Sequence, residues 1–246
     1  MEKKVLSKFD RMLATLNEEM KGDYAFTSLE RNPALATTTL DGLMVILNDY
    51  CALPRVITRL LERARKKALK SNMPKTADEL ELNLTEERGQ DERANPKGVP
   101  HYEMLRRGLK KEFCFVPSKN VRHETEEFIQ KLTGVIGSES PAVVTGAIYA
   151  LESSAHPELL VVRRLLEAIA DKRGESLAPK EALSLIWFIE IHTDVYELDH
   201  ESRLKDAILQ DLGEDCLADF EQGFREVIDL MEVWWKNMAH LPSQLV

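Results

Sequence analysis

Glutamate and histidine residues recur in this sequence inside stretches that otherwise carry the apolar period of buried α-helices. Residues 142–151 are apolar on nearly every side, and Glu152 follows them directly. The apolar residues 185–189 and Ile191 lead in the same way into acids and histidines between His192 and His200. Burying a carboxylate without a partner costs several kcal/mol. These positions therefore require ion-pair or metal partners inside a helical core.

The helical period runs along the whole chain, and no segment shows the alternation expected of a β-strand. Asn32 and Ser140 are predicted helix caps, because a proline follows each of them at the first helical position. The sequence therefore predicts a single all-α domain over residues 1–246. The predicted helices cover residues 4–20, 33–49, 54–70, 78–90, 101–111, 120–134, 140–154, 158–172, 179–211 and 213–238.

Composition and charge exclude several classes of function. The formal net charge of -9 argues against nucleic acid as a partner, because phosphate binding needs a basic face. The sequence shows neither a signal peptide nor an apolar run of the ~20 residues that span a membrane. Three isolated cysteines, Cys51, Cys114 and Cys216, support no disulfide framework and no zinc knuckle. We therefore expect a soluble cytoplasmic protein.

Acid and histidine side chains form three groups that lie far apart in the sequence. Carboxylate oxygens combined with imidazole nitrogens suit non-haem iron or manganese better than structural zinc. The candidate ligands are Glu86, Glu87 and His101 in the first group, Glu152 in the second, and His192, Glu197 and His200 in the third.

The third group leaves its register open. Glu197 and His200 are three residues apart, about 60° on a helical wheel, and can chelate one ion. Thr193 lies nearly in line with His200, whereas His192 reaches the same ion only if the helix widens by one residue, as in a π-bulge. Without a metal, the acids of this helix would form a solvated face, and Glu152 would pair with an arginine.

Four short motifs carry a resemblance to a known family. Their order resembles that of the haem-oxygenase-like dimetal oxidases, most closely the CADD-like proteins (chlamydial protein associating with death domains) and their cyanobacterial relatives, over roughly residues 30–240. The motifs are Asn83-Leu84-x-Glu86-Glu87-x-Gly89, His101-x-x-x-Leu105-x-Arg107, Tyr149-Ala150-x-Glu152-Ser153 and Glu197-x-x-His200.

The resemblance implies a fold, an activity and a set of ligands. The fold is a haem-oxygenase-like bundle of about seven core helices, and the activity is a metal-dependent oxidoreductase that activates O2 to oxidise a small organic substrate. Two irons, or alternatively manganese, and no haem would be bound, and a homodimer is suggested. The ligands matched by position are Glu87 (with Glu86 as the near alternative), His101, Glu152, Glu197 and His200.

One family position does not match. A histidine is expected where this chain has Thr193, and His192 is displaced from it by one residue. The protein therefore holds one metal, holds two through a widened helix, or is a degenerate member without activity. No catalytic residue is assigned.

Two other classes of function remain as alternatives. The first is a non-catalytic member that binds a protein or small ligand, acting through its acidic surface and the helix that carries Trp234 and Trp235. The second is a haem-binding or thiamin-degrading member of the same fold. It is disfavoured because the first histidine is His101 and because Cys114 and Cys216 have no evident helper.

Overall fold

The computed structural model describes residues 8–23, 34–90, 98–181, 184–193 and 195–239, apart from the side chains of residues 21–23, 34, 36 and 195–199. Within these ranges the regular structure is helical and no β-strand occurs, so the prediction of an all-α fold is confirmed. The helices are α1 (Lys8–Asp23), α2 (Ala34–Thr37), α3 (Leu40–Tyr50), α4 (Ala52–Lys70), α5 (Pro74–Glu87), α6 (His101–Phe113), α7 (His123–Val135), α8 (Pro141–Lys172), α9 (Leu185–Thr193), α10 (Val195–Asp211) and α11 (Leu217–Ala239).

Helix α8 is the central element of the bundle, because it contacts helices α2, α3, α4, α7, α9, α10 and α11. Its N-terminus is capped by Ser140, whose hydroxyl accepts a hydrogen bond from the Val143 N–H at 3.4 Å. The apolar residues of 142–151 are all buried. The predicted cap and the predicted buried helix are therefore both confirmed.

Helix α8 continues through Pro157, so the predicted division into helices 140–154 and 158–172 is wrong. Pro157 has no backbone N–H and removes one hydrogen bond from the middle of the helix. Apolar residues beyond the proline, including Leu159, Val161 and Val162, are buried in the same core as those before it. Burial on both sides of Pro157 offsets the local loss, and the helix is not ended.

Helices α8 and α11 cross at two glycines. A Cβ atom on Gly146 would lie 2.0 Å from the Phe220 carbonyl oxygen, and one on Gly223 would lie 2.0 Å from the Val143 carbonyl oxygen. Such distances exclude any side chain at either position. The two backbones therefore approach closely, and α11 is held firmly against the central helix.

Three further boundaries differ from the prediction. The predicted helix 33–49 is interrupted after Thr37, and α3 begins with its own cap at Thr39, whose hydroxyl accepts from the Gly42 N–H at 3.2 Å. Helix α5 begins at Pro74 rather than near residue 78, because Asp211 accepts a hydrogen bond from the Thr76 N–H at 2.6 Å. The predicted helix 179–211 corresponds to two helices, α9 and α10, and Asp194 between them lies outside the described residues.

Both tryptophans of α11 are buried in the core. Trp234 and Trp235 are each 1% exposed, and their indole N–H groups donate to Thr125 and Glu158, each at 3.0 Å. The pair therefore packs in the core, which is the interpretation that the sequence favours for it over a partner surface. Among the described helices, none is both long and apolar enough to cross a bilayer.

Candidate metal centre

A cavity of about 100 Å³ lies beside the central helix α8 and reaches the predicted ligands. Its apolar wall is formed mainly by helices α4, α8 and α9, and its polar wall includes glutamates, histidines and tyrosines. The lining residues are Tyr50, Leu53, Pro54, Ile57, Glu87, His101, Tyr102, Leu151, Glu152, Ala155, Glu158, Leu159, Phe188 and His192.

Three of the predicted ligands meet at the polar wall of this cavity. His101 Nδ1 lies 3.3 Å from Glu87 Oε1 and 2.9 Å from His192 Nε2. One ligand atom from each of Glu87, His101 and His192 lies within 4.8 Å of the other two. We call these three residues the triad. Helices α5, α6 and α9 each contribute one of them, so the tertiary fold brings together residues up to 105 positions apart in the sequence.

The ring of His192 is fixed by a backbone contact. Its Nδ1 lies 2.6 Å from the Phe188 carbonyl oxygen, which can only accept a hydrogen bond. Nδ1 must therefore carry the proton, and Nε2 presents its lone pair to the triad. Burial, with His101 as a second cause, lowers the pKa of His192 to about 3, so the ring is neutral. A neutral imidazole that donates its other N–H to a carbonyl is the usual form of a metal-ligating histidine.

Glu87 and His101 are held together by a close backbone contact. Glu87 is the last residue of α5 and His101 is the first residue of α6. Between them, Gly89 has φ +71°, and a Cβ atom there would lie 2.4 Å from the Val99 carbonyl carbon. Only glycine fits this left-handed conformation and this contact. Gly89 lay inside the predicted helix 78–90, but α5 ends at Glu87, and the contact of Gly89 with Val99 sets the spacing of two triad residues.

The charge of Glu87 is maintained by the histidine beside it. Burial alone would raise the pKa of this carboxyl, but the adjacent His101 lowers it below its ordinary value. His101 Nε2, in contrast, is buried and has no hydrogen-bond partner in the described part of the chain. The triad therefore has an ionised oxygen donor, a neutral nitrogen donor and a histidine whose hydrogen bonding is incomplete.

A second polar group lies next to the triad and involves Glu86. Glu86 Oε2 pairs with His200 Nε2, and Glu86 Oε1 lies 3.7 Å from the Arg203 guanidinium. Arg203 also donates to Glu79 at 2.9 Å. Glu86 and Glu87, adjacent in the sequence, thus point to different histidines: Glu87 contacts His101, and Glu86 contacts His200.

Glu152 lies close to both groups. It lines the cavity together with the triad. Burial raises the pKa of Glu152 to about 7; the nearby His200 opposes this shift, and the negative charges of Glu87 and Glu86 add to it. The arginine partner considered for this glutamate is absent among the described contacts. Burial favours the protonated, uncharged form of such a carboxyl, and a cation bound beside it would favour the ionised form.

Part of the third predicted group falls outside the described residues. The side chain of Glu197 is among those not described, and so is Asp194, where a widened turn was predicted. Thr193 does not point to the triad, because its hydroxyl donates to the Ile189 carbonyl at 3.0 Å. His192, rather than Thr193, reaches Glu87 and His101. The widened turn itself stays a prediction.

Glu158 and Tyr50 are among the cavity residues that sequence reasoning missed. Glu158 is 6% exposed, and burial raises its pKa to about 7. The same signal that identified Glu152 was present here, since Glu158 precedes the apolar run 159–162. Tyr50 carried no such signal, because a tyrosine at the end of an apolar helix is ordinary core packing.

The comparisons with known proteins agree on the fold and are silent on the activity. A model of the DUF3865 family, a domain of unknown function with a solved structure, matches residues 10–241. The comparison with curated proteins gives no match.

Two crystal structures of a CADD-like protein of unknown function from Nostoc punctiforme are similar to this chain. The structure at 2.00 Å has a TM-score of 0.84 and 25% sequence identity, and the match covers 94% of this chain and 97% of the other. The structure at 1.35 Å has a TM-score of 0.83 and 24% identity, and the match covers 97% and 98%. The chain therefore belongs to the DUF3865 family and has the all-helical fold of a CADD-like protein.

Proposed function

We propose that this protein is a non-haem iron oxidoreductase that uses O2 to oxidise a small organic substrate, and that its first iron is held by Glu87, His101 and His192. The observation that carries this proposal is the buried triad, whose three ligand atoms lie within 4.8 Å of one another. One carboxylate with two imidazoles is a donor set typical of non-haem iron, with manganese as the alternative metal.

The residues present fit such an ion in three respects. His192 presents an unprotonated nitrogen, because its other nitrogen donates to Phe188. His101 turns Nδ1 toward both other ligands, at 3.3 Å from Glu87 Oε1 and 2.9 Å from His192 Nε2. Glu87 keeps a lowered pKa although it is buried, which leaves an ionised oxygen for a cation.

A second ion would be bound by Glu152, Glu86 and His200, together with Glu197. Glu86 and His200 pair with each other, and Arg203 lies beside Glu86. The Glu86–His200 pair must open before the second ion binds, and Arg203 also stabilises Glu86. The Glu87–His101 contact of the triad has no arginine beside it among the described ion pairs. We therefore expect the two irons to bind in sequence, the triad first and the second group more weakly.

Ferrous iron held by carboxylate and imidazole ligands supplies one-electron chemistry with O2. The protein supplies the surroundings of that chemistry. The apolar wall of Leu53, Ile57 and Phe188 limits water in the cavity. Before a second ion binds, Glu152, whose pKa burial raises to about 7, can hold or release a proton near neutral pH at the edge of the triad.

Anaerobic titration with ferrous iron, followed by metal counting and optical spectroscopy after O2 is admitted, tests this proposal. Wild type should bind a first iron tightly, and His101→Ala and His192→Ala should each weaken that first step by at least about 100-fold, beyond the 10–100-fold effect of losing an outer hydrogen-bond partner. His123→Ala is the matched control, because His123 is exposed at the start of α7 and lies outside the triad.

The titration also separates the alternative function. If wild type binds no iron, or if the triad variants bind it as tightly as the His123 variant does, the iron proposal is wrong. The protein would then be a non-catalytic member that binds a protein or a small ligand. His200→Ala should remove only the weaker second step.

A further inference from the structure

We propose that Glu158 recognises the substrate and that the substrate is a small primary amine, whose ammonium group binds this carboxylate while its apolar chain extends toward the triad. The inference deepens the proposed oxidoreductase function, because it names the class of molecule that this site takes. It rests on the contacts of Glu158, the charges of the cavity and the spacing along helix α8.

Glu158 is a buried carboxyl without a cationic partner. It is 6% exposed, and Oε1 accepts a hydrogen bond from the indole N–H of Trp235 at 3.0 Å. In the described part of the chain, no arginine, lysine or histidine pairs with it. A single neutral donor does not compensate the burial of an ionised carboxylate. The carboxyl faces the cavity, so a ligand there is placed to complete its bonding.

The cavity disfavours anionic ligands. Glu87, Glu152 and Glu158 all line it, and neither a lysine nor an arginine does so among the described residues. A carboxylate substrate would meet three acidic side chains, of which only Glu87 is in contact with a histidine, His101, and this repulsion costs binding energy at short range. Iron at the triad would offset Glu87 and Glu152, but it would leave Glu158 uncompensated. The charge pattern therefore selects a cationic group at the Glu158 end.

The positions of Glu152 and Glu158 set the size of the molecule. They are six residues apart on one helix, which corresponds to about 9 Å along its axis. Pro157 interrupts the hydrogen-bond ladder between them, yet both side chains line the same cavity. Leu53, Ile57 and Phe188 provide the apolar wall. We therefore take an aliphatic amine of about five carbons, which is shorter than this rise, as the ligand that extends from Glu158 toward the triad.

Tyr50 supports binding at the same end of the cavity. Its side chain is 3% exposed and lines the cavity with Glu158. Burial and then the nearby Glu158 raise the pKa of Tyr50 well above its ordinary range, so the phenol stays neutral. A neutral phenol oxygen can accept a second hydrogen bond from an ammonium group.

Isothermal titration calorimetry with three ligands of equal chain length tests the proposal. The full chain without added metal is titrated with n-pentylamine, 1-pentanol and pentanoate. We expect n-pentylamine to bind at least about tenfold more tightly than pentanoate. Glu158→Gln keeps an acceptor for Trp235 but loses the charge. This variant should weaken amine binding by at least about tenfold, the range of a charge-assisted hydrogen bond, and leave 1-pentanol unchanged.

Glu167→Gln is the matched control. Glu167 lies on the same helix, pairs with Arg163 at 3.1 Å and does not line the cavity, so amine binding should be unchanged. Three results would each overturn the proposal. The first is that wild type binds pentanoate as tightly as the amine, the second is that it binds no amine at all, and the third is that the Glu158→Gln variant and wild type bind the amine equally well. The ligand series uses wild type alone and so does not depend on folding of the variant.

The iron proposal and the amine proposal can fail separately. Amine binding is measured without metal, and iron binding is measured without amine. The Glu158→Gln variant should keep the first iron of wild type. If wild type binds the amine selectively but takes up no iron, the amine proposal stands and the iron oxidoreductase proposal is wrong. If wild type takes up iron but binds no amine, the iron oxidoreductase proposal stands and the amine proposal is wrong.

Discussion

Gly89→Ala is expected to disturb the metal centre through the backbone rather than through a ligand. Gly89 lies two residues after Glu87, and the Val99–Pro100 segment that it touches comes directly before His101. A Cβ atom at position 89 would lie 2.4 Å from the Val99 carbonyl carbon, 2.5 Å from the Val99 oxygen and 2.8 Å from the Pro100 nitrogen. All three are backbone atoms, so no side-chain rotation relieves the clash, and α5 and α6 must move apart.

The size of the effect follows from two contributions. An alanine at φ +71° costs about 1–2 kcal/mol as a left-handed residue. Forcing the two backbone segments apart costs about 1–3 kcal/mol more, as overpacking does elsewhere. The free energy of unfolding should therefore fall by about 3 kcal/mol. For a chain of this length, that corresponds to a decrease in Tm of about 6–12 °C.

The separation of Glu87 from His101 should also weaken the first iron by at least about tenfold, because ligand bonds tolerate little displacement. Gly174→Ala is the control. Gly174 has φ +70°, but nothing lies within 4 Å of its Cβ position, so this variant carries only the conformational cost. Thermal unfolding and ferrous titration are run on both variants. If Gly89→Ala loses no more stability than Gly174→Ala and binds iron like wild type, the proposed role of this contact is wrong.

Three further predictions concern packing and buried charge. Gly146→Ala should lower the free energy of unfolding by about 3 kcal/mol or more in a urea titration, because the new Cβ would lie 2.0 Å from a carbonyl oxygen of α11. Gly134→Ala is the control: nothing lies within 4 Å of its Cβ position, so the free energy of unfolding should stay unchanged or rise by up to about 1 kcal/mol. The pKa of Glu158 is raised to about 7 in the folded state, against about 4.3 in the unfolded chain. The folded protein therefore binds this proton more tightly, which stabilises it at low pH, and this stabilisation is lost as the pH rises through 7. Measured by chemical denaturation, the stability of wild type relative to Glu158→Gln should fall by about 2–3 kcal/mol from pH 5 to pH 8, and a constant difference would contradict the assignment. Asp49→Asn should lower the free energy of unfolding by about 1.5–3 kcal/mol, the range of a hydrogen bond to a charged group, because the partly exposed guanidinium of Arg122 loses the carboxylate that it contacts at 2.5 Å.

The all-α fold was predictable because its signal is local. The helical period and the cap at Ser140 depend on neighbouring residues, and both agree with the structure. The errors arose where tertiary contacts override local preference. Pro157 was expected to end a helix, but burial of the apolar residues on both sides keeps α8 continuous.

The candidate site was predictable only in part. Adjacent apolar runs indicated Glu152 and His192 as buried functional residues, whereas Glu87 and His101 were matched through the family resemblance. The structure brings all four to one cavity. The partners within the site were not predictable. Whether His200 contacts Glu86 or Glu87 depends on the packing of α5 against α10, and adjacent residues of a helix differ by about 100° in direction.

The central claim is that Glu87, His101 and His192 together bind iron, and anomalous diffraction at the iron edge tests it most directly. Crystals of the full chain are soaked anaerobically with ferrous iron. The account predicts an anomalous peak about 2.0–2.2 Å from one atom of each of the three side chains, as expected for first-row metal bonds to nitrogen and oxygen. A peak elsewhere, or none at the triad when iron is bound in solution, would contradict it.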